Sequence, residues 1–538
     1  MSLRNRLVLS VIVCSLVVLA GCGGSSYNGS TPPPTGSFSN SDLNGTYVFS
    51  VTGSDVNFAF LTMVGTLTAN GSGGITGGTV DINDPLFSAP VTALPITGGT
   101  YRITSDGRGQ ATLSAATPFG SSITVVFVLA SSAHGLIIEF DGNGTGSGTL
   151  DMQSTVTQGQ IAGSYAFNFT GISSYNSSTG AEPVLATAGA FTLDGSGNVT
   201  TGVQDFNNNG DSVGETTLGL TGTVNLSTVP GTATLTSASG AFCVAGCHFD
   251  VYPVDATHLK FVGTDAFPIL TGDVFTQTSS IPATNVFTMA GLDFAAQGAP
   301  FTAAGLIVTN GSGQVTGGAE DINDAGTPAQ LTTLSGSYTA VSGGRSVLSL
   351  NQFLNGNGGL PGNYSFAAYP SSGGLQLLEI DSAGVTSGVA YPQTSTTLAS
   401  TQGYGMNLTG INAGSGTGSF EEDDIAEFTN TSGSFSGLLD TNDQGTLTPD
   451  QKFGATYAAD TTIASRGTVT PTTNGFNLVT YVVDGSTTVF VEVDASQLGL
   501  GTFGLQTPTA KSNIAAMHFA ALHLRPGAKN AWRPRQQK

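Results

Sequence analysis

Charged side chains are scarce in this sequence, and basic ones are the scarcest. Only 9% of the 538 residues are charged, and residues 22–510 contain all 35 acidic groups but just six lysines and arginines. An acidic body of this kind repels phosphate backbones, so nucleic acid is excluded as an expected partner. Capped segments with helical apolar spacing are also missing, so long helices are not expected.

Histidine and cysteine are too few, and too scattered, to form the usual catalytic or metal-binding sets. The chain has five histidines and four cysteines, and the histidines lack metal-ligand spacing. Gly-x-Ser-x-Gly matches occur, but they lack the strand–turn–helix context that exposes a nucleophile. We therefore predict a protein without enzymatic activity, without a metal and without a cofactor.

The N-terminus has the pattern of an export signal. Two arginines precede an apolar run at 7–20, which is too short for a typical membrane-spanning helix. The run ends in LAGC at 19–22, which resembles the lipobox of bacterial lipoproteins, where the chain is cut before an acylated cysteine. The resemblance implies that Cys22 is lipidated and that the lipid attaches the protein to a membrane. Gly23 then implies the outer membrane of a two-membrane envelope; the alternative is an ordinary signal peptide with an incidental cysteine.

The rest of the chain repeats itself four times. An opening block recurs as GTYVFSVTG at 45–53 and GSYAFNFTG at 163–171, with weaker copies at 283–291 and 402–410. A second block and an acidic turn follow in the same order at a near-constant period, which is true internal repetition. The predicted segments are a signal peptide at 1–21, a Gly/Ser/Pro tether at 22–40, β repeats at 41–155, 156–279, 280–395 and 396–510, and a basic tail at 511–538.

Each repeat is predicted to be a small all-β barrel. Alternating apolar residues broken by Asn-Gly and Asp-Gly turns predict hairpin-linked strands, and a closed antiparallel meander of about eight strands needs no charged edge protection. The opening strand also resembles the lipocalin and avidin-like barrels, while an immunoglobulin-like sandwich is the alternative. The short joins predict repeats held apart like beads on a semi-rigid string. In the first repeat the predicted strands are 44–53, 59–69, 74–82, 95–105, 108–115, 121–131, 135–141 and 146–153.

Two local patterns suggest covalent or ionic ties in the second repeat. Cys243 and Cys247 are predicted to form a disulfide in an oxidising compartment, the alternative being an expanded haem-attachment motif. Asp205, Asn207 and Asn209 match the first half of a calcium loop, although such clusters also simply make turns. Hairpin turns are the favoured interpretation.

Three repeats combine an arginine before one strand with Glu-x-Asp on a later strand. The second repeat lacks both, with Pro230 and Gly263 at the matching positions. This joint loss predicts a structural ion pair within each unit, rather than paired carboxylates acting on a sugar. The predicted pairs are Arg108–Glu139, Arg345–Glu379 and Arg466–Glu492.

The sequence thus predicts a lipid-anchored extracytoplasmic protein with a non-enzymatic binding, adhesion or structural role. Its partner would be a cell-surface polymer, a protein or a small apolar ligand. The alternative function is transport of small apolar ligands in the barrel lumens, and a carbohydrate-active enzyme is the third. The basic tail is either a disordered end or a segment that touches an anionic membrane.

Overall fold

The computed structural model describes residue 34 and residues 36–212, 217–238, 243–294, 298–354, 361–413 and 419–508. The signal peptide, Cys22 and the tail from 511 onward lie outside these ranges, so the interpretations of them stay predictions. Within the described ranges, helix is limited to two single 3-10 turns, Asn40–Asp42 and Gln158–Ile161. None of the helices described there has the length and apolarity required to cross a membrane.

The chain forms four closed antiparallel barrels, each an eight-stranded meander. In the first three barrels the fourth strand is broken into two short pieces that both pair with the third strand. Barrel 1 comprises β1 (Asn44–Asp55), β2 (Phe60–Asn70), β3 (Gly74–Asn83), β4 (Val91–Ile96), β5 (Gly98–Ile103), β6 (Arg108–Thr117), β7 (Gly120–Ser131), β8 (His134–Glu139) and β9 (Gly144–Met152). Barrel 2 comprises β10 (Gly163–Ile172), β11 (Val184–Leu193), β12 (Val199–Asn208), β13 (Asp211–Ser212), β14 (Leu218–Asn225), β15 (Gly231–Ser237), β16 (Cys247–Asp255), β17 (His258–Gly263) and β18 (Ile269–Thr276).

The third and fourth barrels repeat this order. Barrel 3 comprises β19 (Thr284–Asp293), β20 (Ala299–Thr309), β21 (Gln314–Asp324), β22 (Thr327–Leu331), β23 (Ser335–Tyr338), β24 (Ser346–Leu354), β25 (Pro361–Ser371), β26 (Gly374–Glu379) and β27 (Gly384–Pro392). Barrel 4 comprises β28 (Gln402–Ala413), β29 (Ser419–Thr431), β30 (Ser434–Asp443), β31 (Thr446–Ala459), β32 (Arg466–Thr473), β33 (Leu478–Val482), β34 (Thr487–Glu492) and β35 (Gln497–Leu505).

The first strand of every repeat closes its barrel. β1, for example, pairs with β2 on one side and with β9 on the other, so Tyr47 lies opposite both Leu67 and Met152. This closure confirms the predicted barrels and excludes the sandwich alternative. In barrel 1 the predicted strands agree with the observed ones to within a few residues, except that the predicted strand at 95–105 is the broken pair β4 and β5.

Aromatic side chains fill the barrel interiors. In barrel 2, Phe169 stacks on Phe167 and contacts Phe249 and Phe261, with ring centroids 4.7, 5.2 and 5.5 Å apart. A Cβ built on Gly189 would lie 2.4 Å from the ring of Phe167, which explains why a glycine opens the second sequence block in this repeat. An equivalent aromatic cluster surrounds Phe428 in barrel 4.

The barrels are not separate beads, because each one packs against the next and the fourth packs against the first. Val48 and Val64 of barrel 1 share an apolar cluster with Tyr252 of barrel 2. One large cluster joins barrels 2, 3 and 4, and Val126 of barrel 1 packs with Ile425 of barrel 4. Outward-facing apolar residues on these strands would be exposed in a string of beads, and burying them favours the compact ring.

The chain enters and leaves every barrel at the same end, because eight antiparallel strands return it to its starting side. We call this the entry end and the opposite one the far end. Pro508, after the last strand, lies against Gly36, before the first: a Cβ built on Gly36 would be 3.5 Å from the Pro508 ring. The two ends of the ring therefore meet at the entry end.

Candidate functional site

One asparagine from the acidic turn of each repeat reaches into the next barrel. Its side-chain amide donates hydrogen bonds to backbone carbonyls of the far-end turn before the neighbour's last strand, and all four asparagines are buried. The same contact thus occurs at four junctions, including the one that joins barrel 4 to barrel 1. The bonds are Asn83 to Gly263 O and Asp265 O (2.8 and 3.0 Å), Asn207 to Glu379 O and Gly384 O (3.0 and 2.9 Å), Asn323 to Glu492 O, Asp494 O and Gln497 O (3.1, 2.9 and 2.8 Å), and Asn442 to Glu139 O and Gly144 O (2.8 Å each).

A glutamine that ends each repeat makes a second recurring contact, this time at the entry end. In the sequence this glutamine is followed by Ser or Thr at the end of every repeat. From the sequence alone, this recurring dipeptide was not recognised as a contact between repeats. The residue after each glutamine also donates its backbone N–H to the neighbouring barrel. The glutamine bonds are Gln153 to Pro253 O (2.8 Å), Gln277 to Gly344 O (3.2 Å), Gln393 to Val482 O (2.8 Å) and Gln506 to Leu129 O (3.1 Å).

The three arginines bind an aspartate of the preceding repeat, so the predicted pairing within each unit is wrong. Each of these aspartates is the first residue of an acidic turn, two positions before the junction asparagine. A single copy of a repeat cannot reveal this, because the two partners belong to different copies. The nitrogen–oxygen distances are 2.6 Å for Arg345–Asp205, 2.7 Å for Arg466–Asp321 and 2.6 Å for Arg108–Asp440.

The glutamates expected to hold these arginines are instead buried at the far end of the barrels. Neither carboxylate oxygen of Glu492 has a hydrogen-bond partner among the described residues, and Oε2 of Glu139 has none either. Oε2 of Glu379 accepts from Thr386 at 2.5 Å. Burial raises the pKa of all three glutamates well above the usual value.

The residues predicted as calcium ligands in the second repeat lie at its junction with barrel 3. Both oxygens of Asp205 accept from Arg345, and the Tyr369 hydroxyl donates to the same carboxylate. Asn207 is the junction asparagine, and Asn209 has a left-handed backbone with φ of 50°. Across the described ranges, no group of three or more His, Cys, Asp or Glu side chains is arranged to hold a metal ion.

The predicted disulfide between Cys243 and Cys247 is confirmed. It closes the turn that leads into β16 at the far end of barrel 2. The bond crosslinks neighbouring residues only, so it stabilises this turn and takes no part in joining the barrels.

The junction between barrels 1 and 2 differs from the other three. Proline occupies position 230, where the other repeats have arginine, and Asp81 faces Asp250 and Tyr252 instead. Burial, together with the nearby carboxylate of Asp250, raises the pKa of Asp81 to about 7. This junction therefore holds a protonatable carboxyl where its counterparts hold an ion pair.

Substituting a junction asparagine with aspartate should weaken the ring. In Asn207→Asp the bond from Gly210 N can persist, but the Nδ2 group that donates both other bonds becomes one carboxylate oxygen, which faces the carbonyls of Glu379 and Gly384. We expect the free energy of unfolding to fall by about 2–4 kcal/mol in urea titrations. Asn225→Asp, at an exposed turn, is the matched control and should change it by less than about 0.5 kcal/mol. Equal effects of the two substitutions would contradict the junction role.

A cavity lies at the centre of the ring, where the first strands of repeats 1, 2 and 4 meet the last two strands of repeat 3. About 60 Å³ of it is open to the centres of water-sized molecules, which is room for several waters. All four barrels contribute to its wall, which combines apolar side chains such as Val64 and Leu136 with side chains that carry hydroxyl or amide groups. These include Ser50 and Thr52 of β1, Asn168 and Thr170 of β10, Gln376 of β26, and Asn407 and Thr409 of β28.

The charged part of the cavity wall is a lysine held between two aspartates. Lys260 Nζ donates to Thr149 Oγ1 at 2.9 Å and to Ser50 Oγ at 3.2 Å. It also lies 3.5 Å from Asp151 and 3.4 Å from Asp273. Each aspartate is in turn hydrogen-bonded to a histidine, so the lysine belongs to one connected polar network. The histidine contacts are His134 Nδ1 to Asp151 and His258 Nε2 to Asp273, both 2.7 Å.

Comparisons with known proteins add little to this geometry. No model of a known protein family matches the chain. No curated protein sequence matches it. Among solved structures, the wild-type fructosyltransferase of A. japonicus is 9% identical, with 90% of this chain and 96% of that chain covered and a TM-score of 0.12. A TM-score this low carries no argument about fold or function.

Proposed function

We propose that this chain is a lipid-anchored, non-enzymatic binding protein of the bacterial envelope, and that its ligand site is the central cavity. The observation that carries the proposal is the convergence of polar side chains from all four barrels on one cavity. Hydroxyl and amide groups around a lysine that is already paired with aspartates suit a small, uncharged molecule with several hydroxyl groups. The lipobox at 19–22 supports the anchoring.

The competing functions have less support in the geometry. Glycoside hydrolysis needs two carboxylates flanking an accessible cleft, whereas Glu139, Glu379 and Glu492 are at most 2% exposed. Transport in the barrel lumens needs an internal cavity, whereas aromatic rings fill the interiors of barrels 2 and 4. A structural or adhesion role is the second candidate, favoured by the four repeated junctions.

The anchoring part is tested by labelling cells with radioactive palmitate. The wild-type protein should incorporate label and sediment with the outer membrane. Cys22→Ser should abolish both, because the acylated sulfur is removed, while Cys14→Ser, inside the signal peptide, should change neither. Labelling of the Cys22→Ser protein would contradict the proposal.

The binding part is tested by calorimetric titration of the protein with glycerol and with erythritol. We expect saturable binding of at least one of these polyols, and at least tenfold weaker binding to Thr170→Leu, which fills part of the cavity with an apolar group. Thr223→Leu, on the exposed face of β14, is the control and should bind normally. Absence of saturable binding to both polyols would favour the structural role instead.

A further inference from the structure

The interior of barrel 4 changes from apolar to polar towards its far end. Its strands point alternate residues inward, and Leu408, Ala426 and Phe490 belong to the apolar core of this barrel. The inward positions beyond this core, on the far-end side, carry polar side chains instead. We call this set the acidic mouth: Asn412, Glu422, Asp424, Thr441, Asp443, Glu492 and Gln497.

Two carboxyl groups of the acidic mouth occupy positions that are uncharged in the other barrels. Glu422 and Asp424 lie four and two residues before Ala426, which opens the second sequence block of the fourth repeat. Uncharged residues complete the other three barrels there, so the fold itself does not require charge at these positions. The corresponding pairs are Leu61 and Met63 in barrel 1, Leu185 and Thr187 in barrel 2, and Phe301 and Ala303 in barrel 3.

Donors within the acidic mouth hold these two carboxylates in place. Asn412 Nδ2 and Gln497 Nε2 donate to the two oxygens of Glu422, at 2.7 and 3.2 Å. Thr441 Oγ1 donates to Oδ1 of Asp424 at 2.5 Å. Asp424 is fully buried, whereas Asn412, Glu422 and Gln497 are part-exposed. The acidic mouth is therefore an ordered set of acceptors that solvent reaches from the far end.

Glu492 has no donor of this kind. It is fully buried, and neither of its carboxylate oxygens has a hydrogen-bond partner among the described residues. Its charged neighbours are all acidic, namely Asp494, Asp424 and Glu422. A buried carboxyl group in such surroundings is stable only when it binds a proton or a cation.

Barrel 3 shows how the fold can satisfy this glutamate without a ligand. There, Oε2 of Glu379 accepts a hydrogen bond from Thr386. The strand registers align Thr386 with Gly499 of barrel 4, which supplies no side-chain donor. A Cβ built on Gly499 would lie 3.0 Å from Oε2 of Glu492. The side of the glutamate that threonine serves in barrel 3 therefore lacks a donor in barrel 4.

No described cation balances the charge of the acidic mouth. Asp443 accepts from Asn412 at 3.1 Å and joins Glu422, Asp424 and Glu492 in the same space. Within the described ranges, none of these carboxylates forms an ion pair with a lysine, an arginine or a histidine. A ligand that complements them is therefore positively charged.

We propose that the acidic mouth binds the ammonium group of a small aliphatic amine. An ammonium group brings one positive charge and three N–H donors, and it accommodates acceptors about 2.8 Å away in several directions. A bare metal ion fits less well, because the described part of the chain holds no set of carboxylates arranged to ligate one. Aromatic rings fill the lumen behind Glu492, so the amine enters from the far end.

This site is distinct from the central cavity and goes beyond the function proposed for it. Asn407 and Thr409 of β28 line the central cavity, whereas Asn412 of the same strand faces the barrel interior. The wall of barrel 4 thus separates the two sites. Binding at one should not require binding at the other.

Calorimetric titration with 1,4-diaminobutane at pH 7.5 and low salt tests the proposal. The protein is the chain from residue 22 with Cys22→Ser, so that no acyl chain is present. We expect saturable binding, and at least tenfold weaker binding by Glu422→Gln/Asp424→Asn, which removes two charges at nearly constant side-chain size. Asp194→Asn/Asp211→Asn removes two charges from surface turns of barrel 2 and should bind as the parent does.

A second double variant guards against a loss of binding that merely reflects misfolding. Glu422→Leu/Asp424→Thr gives barrel 4 the residue pair with which barrel 2 completes its own interior. We expect this variant to unfold cooperatively in urea, as the parent does, and to bind the diamine at least tenfold more weakly. Binding at the strength of the parent would contradict the proposal.

Proton release on binding provides a readout that a purely structural role would not change. Burial raises the pKa of Asp424 and of Glu492 well above the usual values, and it also raises the pKa of Glu422. Without a cation these groups retain protons, and Asp443 and Asp494 add negative charge nearby. An ammonium group should displace protons to the buffer, so titrations in phosphate and in Tris at one pH should give different enthalpies.

Three results would overturn this inference. The first is absence of saturable binding of 1,4-diaminobutane. The second is binding of 1,4-butanediol, which has hydroxyl groups in place of the ammonium groups, as strong as that of the diamine. The third is loss of diamine binding in Thr170→Leu, which would place the amine in the central cavity. Since Thr170→Leu should instead bind the diamine normally, the polyol and amine proposals can fail separately.

Discussion

Replacing Arg108 with methionine is expected to lower the free energy of unfolding by about 3–5 kcal/mol. Its guanidinium is 2.6 Å from Asp440, and the side chains of this pair are 2% and 0% exposed. Without the arginine, Asp440 would be a buried carboxylate with its charge uncompensated, at the junction that closes the ring. Urea unfolding at pH 7 measures the loss.

Three further variants separate this explanation from pairing within a repeat. The double variant Arg108→Met/Asp440→Asn should recover much of the loss, because it removes the fully buried charge and the second carboxylate that Arg108 binds, Asp450, is 22% exposed. Glu139→Gln should cost nothing or stabilise the protein, since one oxygen of Glu139 has no partner in the described structure. Arg102→Met controls for loss of an exposed arginine. Were Glu139→Gln as damaging as Asp440→Asn, the assignment of partners between repeats would be wrong.

Raising the pH from 5 to 8.5 should destabilise the protein, and Asp81 should account for about 2–3 kcal/mol of the change. Burial raises the pKa of this carboxyl to about 7 in the folded chain, whereas an unfolded aspartate titrates near 4. The folded state therefore binds the proton more tightly. The resulting stabilisation is complete below about pH 4 and is lost as the pH rises through about 7. Asp84, whose pKa burial also raises to about 7, contributes in the same direction.

The experiment compares urea unfolding of the wild type, Asp81→Asn and Asp211→Asn at pH 5 and pH 8.5. An asparagine keeps the oxygen that accepts from Ala93 N but cannot ionise, so Asp81→Asn should depend less on pH by about 2–3 kcal/mol. Asp211 is exposed, and its variant should follow the wild type. Identical pH dependence of all three proteins would show that Asp81 does not titrate as described.

The fold could be predicted from the sequence because its causes are local. The alternation of apolar and polar residues within each strand, together with the turn residues between strands, determines the hairpins. The lack of charged residues that would protect sheet edges indicates that each sheet closes into a barrel. The disulfide was predictable for the same reason, since Cys243 and Cys247 lie on one short turn. Each of these features is complete within a single repeat.

The ring could not be predicted in this way, because its contacts join different copies of the same motif. The sequence sign of the junction is the Asp-x-Asn pair that recurs in the acidic turn of every repeat, as in Asp205 and Asn207. A simple turn accounts for these residues equally well, so the pair alone does not indicate a contact between repeats. The absence of arginine from the second repeat was visible too. Within one copy, the missing arginine points to a glutamate of the same repeat as its partner. The structure shows that the residue left without an arginine is Asp81 of the preceding repeat.

Closure also determines how the protein can vary. In an open array each unit contacts only its neighbours, so copies can be gained or lost at the ends. Here the backbone bond from Thr507 to Ala130 matches the bond from Ser154 to Val254, so the fourth copy is followed by the first in space. A fifth unit would have to change the angle at every junction and enlarge the opening in the middle. The number of copies is therefore a geometric property of the assembly, just as the number of strands is for a single barrel.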